Sequence, residues 1–156
     1  MKTINTATAI QRLALGATLM LALTVSVSAH AAMTVQGAMN QGYAAFRAQN
    51  FQNATAWFAY ASRGQPNNQA ARFWTAYSVG CQQAQARQYA ASVASWRRAV
   101  AICPASAPTV NVYIDAATDA ANGRGTISLR DIVSTIAALK PVVEAGVDVL
   151  AWLFAL

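Results

Sequence analysis

Six landmarks recur 38 residues apart. Gly42, Phe51, Ala54, Phe58, Ala61 and Pro66 return as Gly80, Tyr89, Ser92, Trp96, Ala99 and Pro104. Their order is a small residue, an aromatic, a small residue, a large aromatic, a small residue and a helix-ending proline. A repeat of this size is one supersecondary unit, which buries its apolar face only against neighbouring units. The chain is thereby restricted to a stacked array of similar pieces, an architecture suited to binding.

The pieces read as helices. Alanine and glutamine are plentiful after residue 31, β-branched runs are short, and apolar residues recur at helical spacing. Helices are expected over Val35 to Ala48, Phe51 to Arg63, Asn67 or Asn68 to Ala84, Tyr89 to Ile102, Thr109 to Ala121, Leu129 to Leu139 and Val142 to Leu156. Gln49-Asn50 forms a turn. Gly64 and Pro66 stop one helix, Pro104 to Pro108 breaks another, Gly123-Arg124-Gly125 makes a turn, and Pro141 is expected to split the last two.

Around this framework the residues resemble tetratricopeptide repeats. Gln41 to Phe46, followed by Phe51, Ala54, Phe58, Ala61 and Pro66-Asn67-Asn68, follows that family's alternation of small and large positions. Gly42 and Ala54 let two antiparallel helices approach, Phe58 fills the space beside them, and Ala61 admits the next unit. The second copy, Gly80 to Pro104, is looser: Ser92 replaces alanine and Gln83 replaces a small or aromatic residue. The family's period is about 34 residues, so the longer spacing implies a lengthened first helix in this copy. Sel1-like repeats are also similar, but have a longer period and a glycine-rich turn that is missing here.

The resemblance implies an all-α, short right-handed helical-hairpin array with two repeats over 34-104 and extra C-terminal helices. Residues 105-141 read either as a worn third helical pair or as unrelated helices. Residues 142-156 form an apolar C-terminal helix. Three or more repeats are normally needed for stability, so the C-terminal helices must supply the missing neighbour. The resemblance also places the first helix of each pair on a concave surface. Tyr43, Phe46, Arg47, Trp74 and Tyr77 would line it, with Met39 and Gln85 beside them. Aromatics flanked by arginine suit a peptide groove. The same aromatics could instead be covered by the chain's own C-terminal helix, and the residues leave both readings open.

The N-terminal segment stands apart. Lys2 and Arg12, the apolar run Leu13 to Val27, and Ala29-His30-Ala31 follow in the order of a secretory signal peptide, assigned to 1-31. An exported chain, periplasmic or secreted, of about 125 residues would remain, enough for one domain. It would lack histidine, and its only acids are Asp115, Asp119, Asp131, Glu144 and Asp148. General acid–base catalysis, triads and zinc sites draw on imidazole or paired titratable groups. The expectation is therefore a non-catalytic protein with no metal and no cofactor.

Charge is uneven along the chain. Arg47, Arg63, Arg72, Arg87, Arg97 and Arg98 precede Asp115 with no acid among them, whereas Arg124, Arg130 and Lys140 face five acids afterwards. Either these arginines attract anionic partners, or they keep an alanine-rich surface solvated. No aromatic-basic motif for nucleic acid is present.

Three local features complete the reading. Ala120 to Asp131 looks like an EF-hand calcium loop at Asn122, Gly125, Ile127, Ser128 and Asp131, but Ala120 replaces the first acid and Arg124 puts a cation inside, so it reads as a turn. Cys81 and Cys103 would be oxidised by export, yet repeat geometry separates them by about two helical turns, roughly 12 Å, beyond a disulfide's reach; their pairing stays open. Val149 to Leu156 is apolar nearly all round. It would dock on the repeats, associate with a second copy or an envelope protein through Trp152, Leu153 and Phe154, or touch a membrane surface. The functional expectation is an exported adaptor for a protein or peptide. The competing class is a structural or assembly module of the cell envelope.

Overall fold

The computed structural model describes residues 33–153, with side-chain environments through Ala145. The signal-peptide reading of 1-31 and the side chains of Trp152, Leu153 and Phe154 lie outside the described residues. Every regular element among those described is a helix: α1 (Val35–Arg47), α2 (Phe51–Gly64), α3 (Gln69–Gln85), α4 (Tyr89–Ile102), a 3-10 turn (Pro104–Ser106), α5 (Ala107–Ala121), α6 (Leu129–Ser134) and α7 (Ile136–Leu153).

Each start has a local cause. Thr34, Asn50, Asn68 and Ser128 cap α1, α2, α3 and α6 by accepting a hydrogen bond from the backbone N–H three residues on. The expected cap on α3 is thus Asn68. Links of three or four residues then force α1 to α4 into antiparallel neighbours, and α1–α2, α2–α3, α3–α4 and α4–α5 pack in sequence.

The repeat in the sequence is a repeat in the backbone. Gln49 (φ 57°) and Arg87 (φ 59°), 38 residues apart, are the two non-glycine residues with positive φ among those described. Each closes a Schellman motif. The Gln49 and Asn50 N–H groups reach the Phe46 and Ala45 carbonyls, and those of Arg87 and Gln88 reach Ala84 and Gln83. The two glycines repeat as well: Gly42 backs onto the Phe58 ring and Gly80 onto the Trp96 ring. Where the second copy carries Ser92 in place of alanine, the buried hydroxyl is satisfied by donating to the Tyr89 carbonyl at 2.7 Å.

The core is a continuous aromatic network in which Phe51 packs on Phe46, Phe46 on Trp74 and Tyr77, Tyr43, Phe58 and Phe73 on Trp74, and Tyr77 on Trp96, which meets Tyr113, with ring centroids 5.0–6.3 Å apart. Polar ties join adjacent helices. Thr55 Oγ1 donates to Ser78 Oγ at 3.0 Å, Ser95 Oγ to Gln83 Oε1 at 2.7 Å, and the Gln69 amide to the Ile102 carbonyl.

The C-terminal third departs from expectation in two ways. Pro141 lies inside α7, and the break falls at Thr135 instead. The proline removes one intrahelical donor. The carbonyl it forfeits belongs to Ala137, which is exposed and can meet water, while Leu139 and Val143 on either side are fully buried. The expected split of the last two helices at Pro141 is therefore corrected: α7 runs through the proline. Second, the helix expected over Leu129 to Leu139 is divided between α6 and the start of α7, and α5 meets α6 where the Tyr113 hydroxyl donates to the Asp131 carbonyl at 3.0 Å. Both α6 and α7 pack on α3, with α7 also against the 3-10 turn.

Candidate functional site

α1 and α3 present their aromatic side chains on one face because Tyr43 and Phe46, like Trp74 and Tyr77, are three residues apart, about one helical turn. Tyr43 meets Trp74 edge-on at 5.3 Å, and Phe46 stacks on Tyr77 at 5.8 Å. Four of the five residues expected to line a peptide groove are thus brought together. They are not an open surface. Phe46, Trp74 and Tyr77 are 0% exposed and Tyr43 is 4% exposed, so of the open and covered arrangements these four are found in the covered one.

The cover is α7 with the residue before it. Ile136, Leu139 and Val143 point into the core. Three polar contacts fix the register. The Tyr77 hydroxyl and Thr135 Oγ1 share a hydrogen bond at 3.3 Å. The Tyr43 hydroxyl donates to Glu144 Oε1 at 3.3 Å. Lys140 Nζ lies 5.0 Å above the Tyr43 ring and 3.9 Å from Glu144, a cation–π contact joined to an i,i+4 ion pair. Of the two alternatives the sequence left open, the chain's own C-terminal helix occupies the aromatic face.

Electrostatics follow from this burial. Loss of water, and then the Glu144 carboxylate, push the Tyr43 phenol well above its ordinary 10.0. Tyr77 is also raised, chiefly by burial and then by Cys81, with the Thr135 hydrogen bond acting in the opposite direction. The Trp74 indole N–H is buried without a hydrogen bond of normal geometry, next to the Tyr43 hydroxyl.

Arg47 behaves differently from the other four. It sits exposed in the last turn of α1, where a cation complements the helix dipole. Arg72 and Arg98 are exposed too, and line one depression of about 480 Å³ with Asn67, Gln69, Ala101 and Ile102. The two ion pairs among the described residues, Arg124–Asp119 and Lys140–Glu144, use none of the six early arginines.

Cys81 and Cys103 are buried free thiols. Burial pushes the Cys81 thiol well above its ordinary 9.0, the opposite of what an activated nucleophile needs. In the calcium-like segment, Gly123 and Gly125 turn at φ 73° and 92° with open space around them, and Arg124 pairs with Asp119 at 3.1 Å. Among the described residues no three His, Cys, Asp or Glu side chains group as metal ligands.

Thr135, Lys140 and Glu144 were not singled out as site residues from the sequence. The available signal was the pairing of Lys140 with Glu144 four residues on, interleaved with Leu139 and Val143. Comparison with protein-family models, curated proteins and solved structures found no match.

Proposed function

We propose that this chain is a non-catalytic, exported adaptor of the tetratricopeptide-like kind, which binds a protein or peptide through the aromatic face of its paired helices. The observation that carries the reading is that this face receives a helix: α7 buries Ile136, Leu139 and Val143 in the core that holds Tyr43, Trp74 and Tyr77, and three polar contacts to Tyr43 and Tyr77 orient it. A surface that selects a helix by both packing and charge is a recognition surface. The recurrence of Gly42–Phe58 as Gly80–Trp96 supports the repeat character, and the lack of histidine after residue 31 supports a non-catalytic role.

The test is recovery of partners from an envelope extract with the chain lacking residues 1-31 as bait, comparing wild type with Glu144→Lys. That substitution repels Lys140 and removes the acceptor for Tyr43. The adaptor reading expects a discrete partner, recovered more strongly by the variant. Equal and nonspecific recovery from both would contradict it. The competing reading, an envelope assembly module that self-associates through the apolar end of the chain, predicts a dimer or larger species by light scattering.

A further inference from the structure

The contacts of α7 with the aromatic face specify what that face accepts. Taking Ile136 as the first position, the buried apolar residues fall at 1, 4 and 8 (Ile136, Leu139, Val143). A cation falls at 5, where Lys140 lies over the Tyr43 ring, and a carboxylate at 9, where Glu144 accepts from the Tyr43 hydroxyl. Apolar groups at this spacing form one stripe of a helix, and the two charges stand one turn apart beside it. Nothing in this pattern requires the helix to belong to the same chain.

α7 is held by the buried Ile136, Leu139 and Val143, and what favours its exchange is the segment leading to α6 and the two charges at its edge. Residues 122–128 join α5 to α6 without helix, and two of them, Gly123 and Gly125, have no neighbouring atoms where a side chain would be. Lys140 and Glu144, the charged contacts, are 39% and 49% exposed at their side chains and so are competed for by water.

We propose that α7 is a resident pseudo-ligand, and that the occupant it holds off is a partner protein's amphipathic helix with the same pattern: apolar, apolar, cation, apolar, carboxylate at positions 1, 4, 5, 8 and 9. This rests on the adaptor reading and supplies its partner class and its regulation. The face is competent only while α7 is lifted, so the affinity for an incoming helix is the intrinsic affinity reduced by the fraction of molecules in which the face is free. A partner with better apolar side chains at 1, 4 and 8 than Ile, Leu and Val displaces α7. A helix with its charges reversed is rejected, because a carboxylate would sit over the Tyr43 ring face and a cation against the Tyr43 hydroxyl hydrogen.

The experiment uses the chain lacking residues 1-31 and a fluorescent synthetic peptide spanning residues 133–146. Binding is measured by anisotropy to wild type and to the double variant Lys140→Ala/Glu144→Ala. Both replaced side chains are half-exposed, so the variant keeps its helical circular dichroism. The expected result is about tenfold tighter binding to the variant, equivalent to about 1.4 kcal/mol of weakened self-contact. A peptide with the lysine and glutamate exchanged should lose that binding. Equal affinity for wild type and variant, or equal binding of the exchanged peptide, would overturn the proposal. Wild type carrying Tyr43→Phe gives an independent check, since it should blunt discrimination between the two peptides. If a natural partner is recovered but the peptide does not compete with it, the pseudo-ligand inference falls and the adaptor reading stands.

Discussion

Gly42 lies so close to Phe58 that a Cβ on the glycine would come within 2.6 Å of Phe58 Cδ1, and Gly80 stands in the same relation to Trp96, 2.5 Å from its Cδ1. Both rings are fully buried. An added methyl can be accommodated only by moving a ring that is wedged against Trp74 in one case and Tyr77 in the other. Overpacking of this kind costs about 1–3 kcal/mol, against about 1 kcal/mol recovered from alanine's better helix propensity.

Gly42→Ala and Gly80→Ala are therefore each expected to be destabilising, by up to about 2 kcal/mol in urea unfolding after this offset. Gly42→Ala combined with Phe58→Leu should cost less than the sum of the two single changes. Strict additivity would show that the two positions do not meet.

The paired left-handed residues give a prediction of opposite sign. Gln49 and Arg87 hold φ near 57° and 59°, a conformation costing a side-chain-bearing residue about 1–2 kcal/mol relative to the right-handed one. Gln49→Gly and Arg87→Gly should each stabilise the fold by about 1 kcal/mol. Their separate helix ends predict near-additive effects, read as a rise in the midpoint of thermal unfolding.

Alkaline pH should unfold the protein early. Tyr43, Tyr77 and Cys81 all lose protons less readily when folded, having been raised from ordinary values of 10.0, 10.0 and 9.0. Between the unfolded and folded values the unfolded chain binds fewer protons, so stability falls as pH rises. The contribution is intact below about pH 9 and declines from pH 9–10 upward. Urea midpoints measured on both sides of that window should drop, and Tyr43→Phe should shrink the drop.

Buried, unpaired thiols make a direct chemical prediction. Neither Cys81 nor Cys103 should react with a thiol reagent in the native chain at neutral pH, and both should react after unfolding without reductant. No thiol released under those conditions would indicate a disulfide between them.

The first four helices were legible within one or two residues because their signals are local: capping asparagines, the Gly64–Pro66 stop and the 38-residue recurrence all act through near neighbours. Burial at the aromatic face was not legible. Tyr43, Phe46, Trp74 and Tyr77 at helical spacing look the same whether a partner, water or the chain itself lies against them, and the deciding contacts come from about 60 to 100 residues away at Thr135, Lys140 and Glu144. Pro141 was misleading for a related reason. Its local effect is to break a helix, but tertiary burial of Leu139 and Val143 outweighs one lost hydrogen bond whose carbonyl can turn to solvent.

That the aromatic face is held by α7 is tested most directly by a double-mutant cycle on Tyr43→Phe and Glu144→Gln, with unfolding free energies measured for wild type, both single variants and the pair. The Tyr43–Glu144 hydrogen bond joins positions 101 residues apart, so coupling arises only if α7 lies where described. The expected coupling is about 1 kcal/mol, the scale of one partly exposed hydrogen bond to a charged group. A coupling within about 0.3 kcal/mol of zero, the scatter of non-interacting sites, would contradict the account.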